Sequence, residues 1–381
     1  VTADLRHAFR QQARACEGLG SPFMARLCRL LSDRLAPAGP LGARLFGWAG
    51  DVGPNGDSVP LRLCGALHAL VLRGHPGLAA VYPPQVAGAG AAAAAGPRAF
   101  EGASERAFES PFPRGSRGLP VDAGTDDDAM WFAVAGALET EAAFIDAFLN
   151  TAPQTNEVRR SAALIAAGHW LAARHGLPLV LSELGASAGL NTIWDRYALA
   201  RPGLRLGPAD AALTLAPDWT GRLPPAATVT VADRAAVDLN PIDTADPAQR
   251  LRLLAYLWAD QPERRALTEA ALAAGPPLPD RGDAADWLAA RLATPRPGHL
   301  HLIFHTIAWQ YFPAPVQARA RGLIEAVGAR ATPDAPLAWL AYEADGATPG
   351  AGVTLRLWPG DVTVALGRAD FHGRWVDWRA P

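Results

Sequence analysis

The chain has 381 residues, half of them hydrophobic, and a formal net charge of −2 with both signs scattered along it. That length suits one large domain with an accessory domain and a sizeable core, and nothing in the charge suggests an electrostatic nucleic-acid binder, which would normally show a basic patch. All 35 basic residues are arginine, which excludes a lysine Schiff base, a Walker A loop and a Ser-x-x-Lys acyl-enzyme.

Residues 4–35 read as two helices, with Phe23, Leu27, Leu30 and Leu31 at helical spacing. Gly20-Ser21-Pro22 separates them, with Ser21 as N-cap and Pro22 at the first helical position. Leu61–Val71 is a further apolar helix. The stretch 83–125, rich in Gly, Ala, Pro and Ser, reads as loop, and Met130–Leu149 as an amphipathic helix. Cys16, Cys28 and Cys64 are odd in number and form no C-x-x-C pair, so neither a disulfide framework nor a thiolate zinc site is favoured. The start lacks an apolar signal core, and the Ala-rich run at 89–95 is too short for a bilayer. The expectation is a cytoplasmic protein with a small-molecule substrate and no membrane or nucleic-acid partner, whose residues 1–150 form a helical accessory region.

After Asn150 the pattern changes. A helix is entered through Thr155-Asn156 and closed by Gly176; a strand over 178–184 follows, then a helix from Ser187 to about Ala200. Short β pieces fill 204–223. Thr228–Ala232 reads as a strand ending at Asp233-Arg234. Residues 247–274 are helical with a break at Gln261-Pro262, and "PLPDRGDAADWLAARL" is a weak strand, a turn and a helix. "HLHLIFHT" is a strong strand, 314–329 a helix, and "LAWLAYE", "VTLRLW" and "VTVALG" are strands. Strands alternating with helices predict an α/β fold over 151–381, with a Rossmann-like, doubly wound, mostly parallel sheet. Pro359-Gly360-Asp361 is too short for a parallel crossover, so the last two strands form a terminal antiparallel hairpin.

The turn Gly185-Ala186-Ser187-Ala188-Gly189 carries three readings. As a serine-hydrolase elbow, it exposes Ser187 on a strained turn, with His305, His372 and Asp283 available downstream but no HGGG-like stretch before it. As a cofactor turn, its glycines let backbone approach a ligand at a helix N-terminus. As a plain βα turn, it needs small residues for packing. The cofactor reading also wants acids at successive strand ends, and finds Glu183, Asp233 and Asp283.

His299, His301 and His305 share one strand face, but no second ligand cluster accompanies them and no metal is expected. His305-Thr306, at the strand's end, is placed to accept a substrate proton, with Trp309, Gln310 and Tyr311 walling the substrate. Thr155, Asn156 and Glu157 suit a helix start. Arg159 and Arg160, disfavoured near a positive helix end, either pair with Glu157 or bind an anionic group. Arg234, Asp238 and Asp243 read equally as site or turn residues.

"PQTNEVRRSAAL", "LGASAGLN", "DRAAVDLNPID", "LWADQPERR", "RGDAADWL" and "HTIAWQYF" together resemble an uncharacterised bacterial family, a domain of unknown function, over nearly the whole chain. The second half is similar in layout to class I S-adenosylmethionine (SAM) methyltransferases. Ser187 stands where those often have glycine, an insertion precedes the second strand, and no N-P-P-Y-like tetrapeptide follows "HLIFH". The resemblance implies SAM with Glu183, Gly185, Ser187 and Gly189 at its amino-acid end, Arg160 at its carboxylate, Asp233 at the ribose and Asp283 at the adenine. His305 and Thr306 would be catalytic, and Asn156, Trp309, Gln310 and Tyr311 would hold a small-molecule acceptor. The alternatives are a serine hydrolase using Ser187 and a non-catalytic binder on a degenerate methyltransferase fold.

Overall fold

A computed structural model describes residues 2–54, 56–85 and 127–380. The loop expected over 83–125 therefore lies almost wholly outside the described residues. The chain divides into two compact units, one of Val1–Pro153 with Leu254–Ala266, the other of Gln154–Leu253 with Leu267–Pro381.

The first unit is helical: α1 (Thr2–Gly18), α2 (Pro22–Arg34), α3 (Gly39–Phe46), α4 (Val59–Leu72), α5 (Pro76–Ala79), α6 (Asp127–Thr140) and α7 (Ala142–Leu149). All but two of the 14 residues of α4 are buried, as a helix apolar on every side requires. The single helix expected over 130–149 is broken at Glu141, which is non-helical at φ −109° and ψ 20°. Beside the break, the Thr140 hydroxyl donates back to Gly136 O at 2.9 Å, a bond that competes with the backbone ladder. Pro22 opens α2 as expected, but Ser21 does not cap it. Its hydroxyl donates to Asp260, whose other carboxylate oxygen accepts the Phe23 N–H at 2.9 Å. The cap is supplied from 237 residues away.

The second unit opens with α8 (Ser161–His175), closed by Gly176 at φ 63°. Next come β1 (Leu179–Leu184), β2 (Ala198–Arg201), β3 (Leu204–Leu206), β4 (Thr214–Leu215), β5 (Asp218–Thr220) and β6 (Val231–Asp238). The chain continues through α9 (Pro247–Ala255), α10 (Pro262–Ala273), β7 (Asp280–Arg281), α11 (Ala284–Arg291), β8 (Leu300–Thr306) and α12 (Ala314–Gly328). It ends with β9 (Leu337–Glu343), β10 (Ala351–Trp358), β11 (Val362–Ala369) and β12 (Trp375–Trp378).

One nine-stranded sheet has the order β5-β12-β11-β10-β9-β8-β1-β6-β7; β2, β3 and β4 form a small separate sheet. The strands β9, β8, β1, β6 and β7 are all parallel, and strand order reverses between β1 and β8. The hairpin expected at Pro359-Gly360-Asp361 is present, pairing Leu357 with Val362. The antiparallel edge is larger than one hairpin, because β10 also runs antiparallel to β9 and β12 to β11. One face of the sheet is packed by α11 and α12 through Leu288, Ile324, Ile303, Trp339 and Trp358.

Two expectations are corrected. No α-helix follows the glycine turn: Asn191–Arg196 is a 3-10 segment with a kink at Ile193, and β2 begins directly after Tyr197. Side chains pin this segment to the rest of the unit. Asn191 accepts from Ser161 at 2.7 Å, Thr192 donates to Glu183, and the Trp194 ring occupies the space beside Gly168, where a Cβ would lie 2.1 Å from it. The strand expected over 228–232 is β6, which runs on to Asp238. Asp233 and Arg234 lie inside it because each has an ion-pair partner, Arg291 at 2.8 Å and Asp195 at 2.6 Å.

Replacing Asp260 removes the remote cap on α2. Asp260→Ala should lower unfolding free energy by about 1–2 kcal/mol, with Asp260→Asn retaining most of it. Urea unfolding measures this, and an unchanged midpoint in the alanine variant would refute the capping role.

Candidate functional site

The carboxyl ends of β1, β6 and β8 bring together the glycine turn and several expected residues. Gly185, Ser187 and Gly189 all have positive φ, at 69°, 54° and 71°. For Gly185 and Gly189 the conformation and the space both demand glycine: a Cβ on Gly185 would lie 2.6 Å from that of Ala308, and one on Gly189 2.5 Å from Pro277 O. The Ser187 N–H donates to Asp238 Oδ2 at 2.8 Å, and the Ser187 hydroxyl is buried with no hydrogen-bond partner. Asp238 Oδ1 accepts from Asn240 N–H at 2.8 Å and the Gln154 amide at 3.3 Å.

Beneath the turn, Glu183 is fully enclosed and accepts from the Thr192 hydroxyl. Burial pushes its pKa up to about 8, against the lowering effect of the Thr192 bond and with a further rise from Asp238. Arg160 is buried nearby and donates to Thr306 O at 3.0 Å and Phe371 O at 2.9 Å. Arg159 is the arginine that pairs with Glu157, at 3.0 Å. Asn156 caps no helix; its side-chain oxygen accepts the Leu190 N–H at 2.9 Å, tying the N-terminal loop of this unit to the turn.

Two expected acids are placed differently. Asp233 sits early in β6, opposite Val180, and is paired with Arg291 and, at 3.6 Å, with Arg296; the acid at the strand's carboxyl end is Asp238. Asp283 follows β7 as expected, but its Oδ1 caps α11 by accepting from Ala285 N–H at 2.9 Å and Asp286 N–H at 3.1 Å. A hollow of about 340 Å³ beside the ends of β6 and β7 is lined by Pro241, Asp243, Gln249, Leu278, Pro279 and Arg281.

The second cluster surrounds His305. Trp339 Nε1–H donates to His305 Nε2 at 3.0 Å, so the other nitrogen carries the proton and donates to Glu343 Oε1 at 2.7 Å. The lone pair expected to take a substrate proton is thus occupied by an indole. Glu343 Oε1 also accepts the Ala308 and Trp309 N–H groups at 2.9 and 3.1 Å, while Oε2 is buried without a partner. Burial alone would raise the Glu343 pKa, but the His305 bond and the two backbone N–H donors outweigh it and hold it below the usual range. Trp309 stacks on His305 at 4.8 Å and helps line a cleft of about 430 Å³. Thr306 is buried in the strand, whereas Gln310 and Tyr311 are exposed and do not line this cleft.

Among the described residues no histidine bonds to Ser187, and no group of three or more His, Cys, Asp or Glu is arranged to hold a metal. His301 instead meets Ser182 Oγ at 2.8 Å, and burial, helped by Arg291 and Arg296, lowers its pKa to about 3. No helix of the described residues is long and apolar enough to cross a membrane.

Fold and site therefore define an α/β protein with a helical N-terminal region and a mostly parallel sheet, with a buried polar cluster at the parallel strand ends. The chain belongs to the family described as an uncharacterized protein conserved in bacteria, DUF2332, whose model matches residues 6–109 and 117–378. No curated protein and no solved structure matches it.

The Glu183 proton gives a pH test. A folded-state pKa raised from 4.5 to about 8 means that the native state holds a proton which the unfolded chain has released. The associated stability is complete below the unfolded pKa and is lost as pH rises through the folded value. Wild-type unfolding free energy should fall between roughly pH 5 and 8, and Glu183→Gln should flatten that slope. Parallel pH profiles for the two proteins would contradict it.

Proposed function

We propose that the second unit binds SAM over the carboxyl ends of β1 and β6 and that the protein is a methyltransferase acting on a small molecule. The observation that carries the reading is Asp238. It ends the strand next to β1 and contacts through Ser187 N–H the glycine turn that leaves β1, the strand on whose other side the strand order reverses. Open α/β sheets bind their ligands outside the carboxyl ends of the strands at such a point.

In this reading Asp238 replaces Asp233 as the ribose acid. The neighbouring hollow, which Asp243 and Asp280 line and Asp283 does not, takes the adenine, and Asp283 stays with its helix cap. The unpartnered Ser187 hydroxyl supports a polar ligand at the turn. The tight contacts at Gly185 and Gly189 do not, because the chain's own atoms already fill the space that their missing side chains leave. SAM supplies an activated methyl group that passes to a nucleophile by in-line displacement. The chain's part is to orient the reactants and exclude water. A second reading, binding without turnover, is favoured by His305, whose two nitrogens are both engaged within the fold.

Calorimetry with SAM and S-adenosylhomocysteine tests both. Asp238→Ala should weaken binding by about tenfold or more, the loss expected for charge-assisted hydrogen bonds to ribose, while Asp233→Ala changes it little. Absence of heat at millimolar ligand would sink the methyltransferase reading. Binding with no methyl transfer across an acceptor panel would select the second.

A further inference from the structure

The cleft around Trp309 lies on the α12 face of the sheet; none of its lining residues belongs to the glycine turn, although Ala308, beside it, packs against Gly185. Strand register builds it: His305 neighbours Ala341, which neighbours Thr354, and Trp339 neighbours Arg356, which neighbours Thr363. Its floor is aromatic. The Trp309 and Trp339 rings are 5.4 Å apart at 51°, and His305 stacks on Trp309. Its volume of about 430 Å³ falls within the range of small-molecule sites, roughly 300–1,000 Å³.

The charged groups of this cleft divide into spent and unspent. Arg356 is spent, held by Glu325 on one side and by Asp361 on the other. One oxygen of Glu343 is likewise spent on three donors. Two groups remain. The Arg321 guanidinium is exposed and lies 5.8 and 5.3 Å from the two indole rings, and no carboxylate pairs with it among the described residues. Glu343 Oε2 is an acceptor with no donor. An anion would satisfy only the first, and an ammonium ion only the second. A molecule carrying both charges satisfies both.

We propose that this cleft is a binding site for a free α-amino acid with a flat or apolar side chain. Its ammonium group is held by Glu343, its carboxylate by Arg321, and its side chain by Trp309 and Trp339. The site goes beyond the SAM reading and uses none of the residues assigned to SAM there.

L-phenylalanine is the probe, titrated calorimetrically into the full chain. It should bind with a submillimolar Kd. N-acetyl-L-phenylalanine, which lacks the ammonium, and L-phenylalaninamide, which lacks the carboxylate, should each bind about tenfold more weakly, as expected for loss of one charge-assisted contact. Arg321→Ala should weaken L-phenylalanine by a similar factor while leaving the unfolding midpoint and the S-adenosylhomocysteine titration unchanged. Glu343→Gln should do the same to L-phenylalanine; if that variant does not fold, the exposed Arg321 still carries the test. Three results would overturn the proposal. One is no binding of L-phenylalanine at millimolar concentration. Another is equal binding of either blocked derivative. The third is an equal loss of S-adenosylhomocysteine affinity in Arg321→Ala, which would mean that the cleft holds the amino-acid end of that ligand instead. Failure of SAM itself to bind would leave this proposal standing and sink only the preceding one.

Discussion

Burying Glu183 under the glycine turn is the constraint from which the carboxyl edge of the parallel sheet follows. A carboxyl group out of water must either find donors or keep its proton. Here it keeps a proton to near neutral pH and takes the Thr192 hydroxyl as a partner. Thr192 belongs to the 3-10 segment that follows the turn where an α-helix is expected. With no helix to offer a row of free N–H groups, the Ser187 N–H is taken by Asp238 of the next strand. Asn156 holds the far side of the turn, and Arg160 braces the end of β8 through Thr306 O. One buried acid thereby links the geometry of three strand ends.

Glu343 solves a similar problem in the opposite way. It also lies at the end of a parallel strand, but three donors converge on one of its oxygens and keep it ionised. The histidine between Glu343 and Trp339 is fixed in one tautomer and serves as a brace within an aromatic wall. Two acids at the ends of β1 and β9 therefore differ in charge at neutral pH. Desolvation wins at Glu183, and hydrogen bonding wins at Glu343.

Much of this was legible in the residues. The alternation of apolar strands and helices implied a mostly parallel sheet, and Pro359-Gly360-Asp361 implied the antiparallel hairpin. The glycines of the turn occupy positive φ, but the room they leave is filled by Ala308 and Pro277 of the chain itself, and no α-helix follows them. The site is less legible in the residues. Asp233-Arg234 looks like the end of a strand because two adjacent charges usually mark a turn, yet each charge is answered by an ion pair from elsewhere, and the strand continues to Asp238. The signal for the true end was the apolar Ala236-Val237 pair following the charges. Glu343 closes "LAWLAYE" just as Glu183 stands at the end of the first strand, a parallel that marks it as a candidate by the same logic.

The sequence by itself determined most of the elements and their order, the segment after the glycine turn excepted, because these depend on side-chain periodicity and on steric limits within a few residues. The tertiary structure alone decided which acid stands at a strand's end, which helix is capped from afar, and which nitrogen of His305 carries the proton. Asp260 caps α2 across 237 positions, and Glu343 fixes His305 across 38. Such pairings satisfy buried polar groups at whatever separation the fold allows, so no local spacing encodes them.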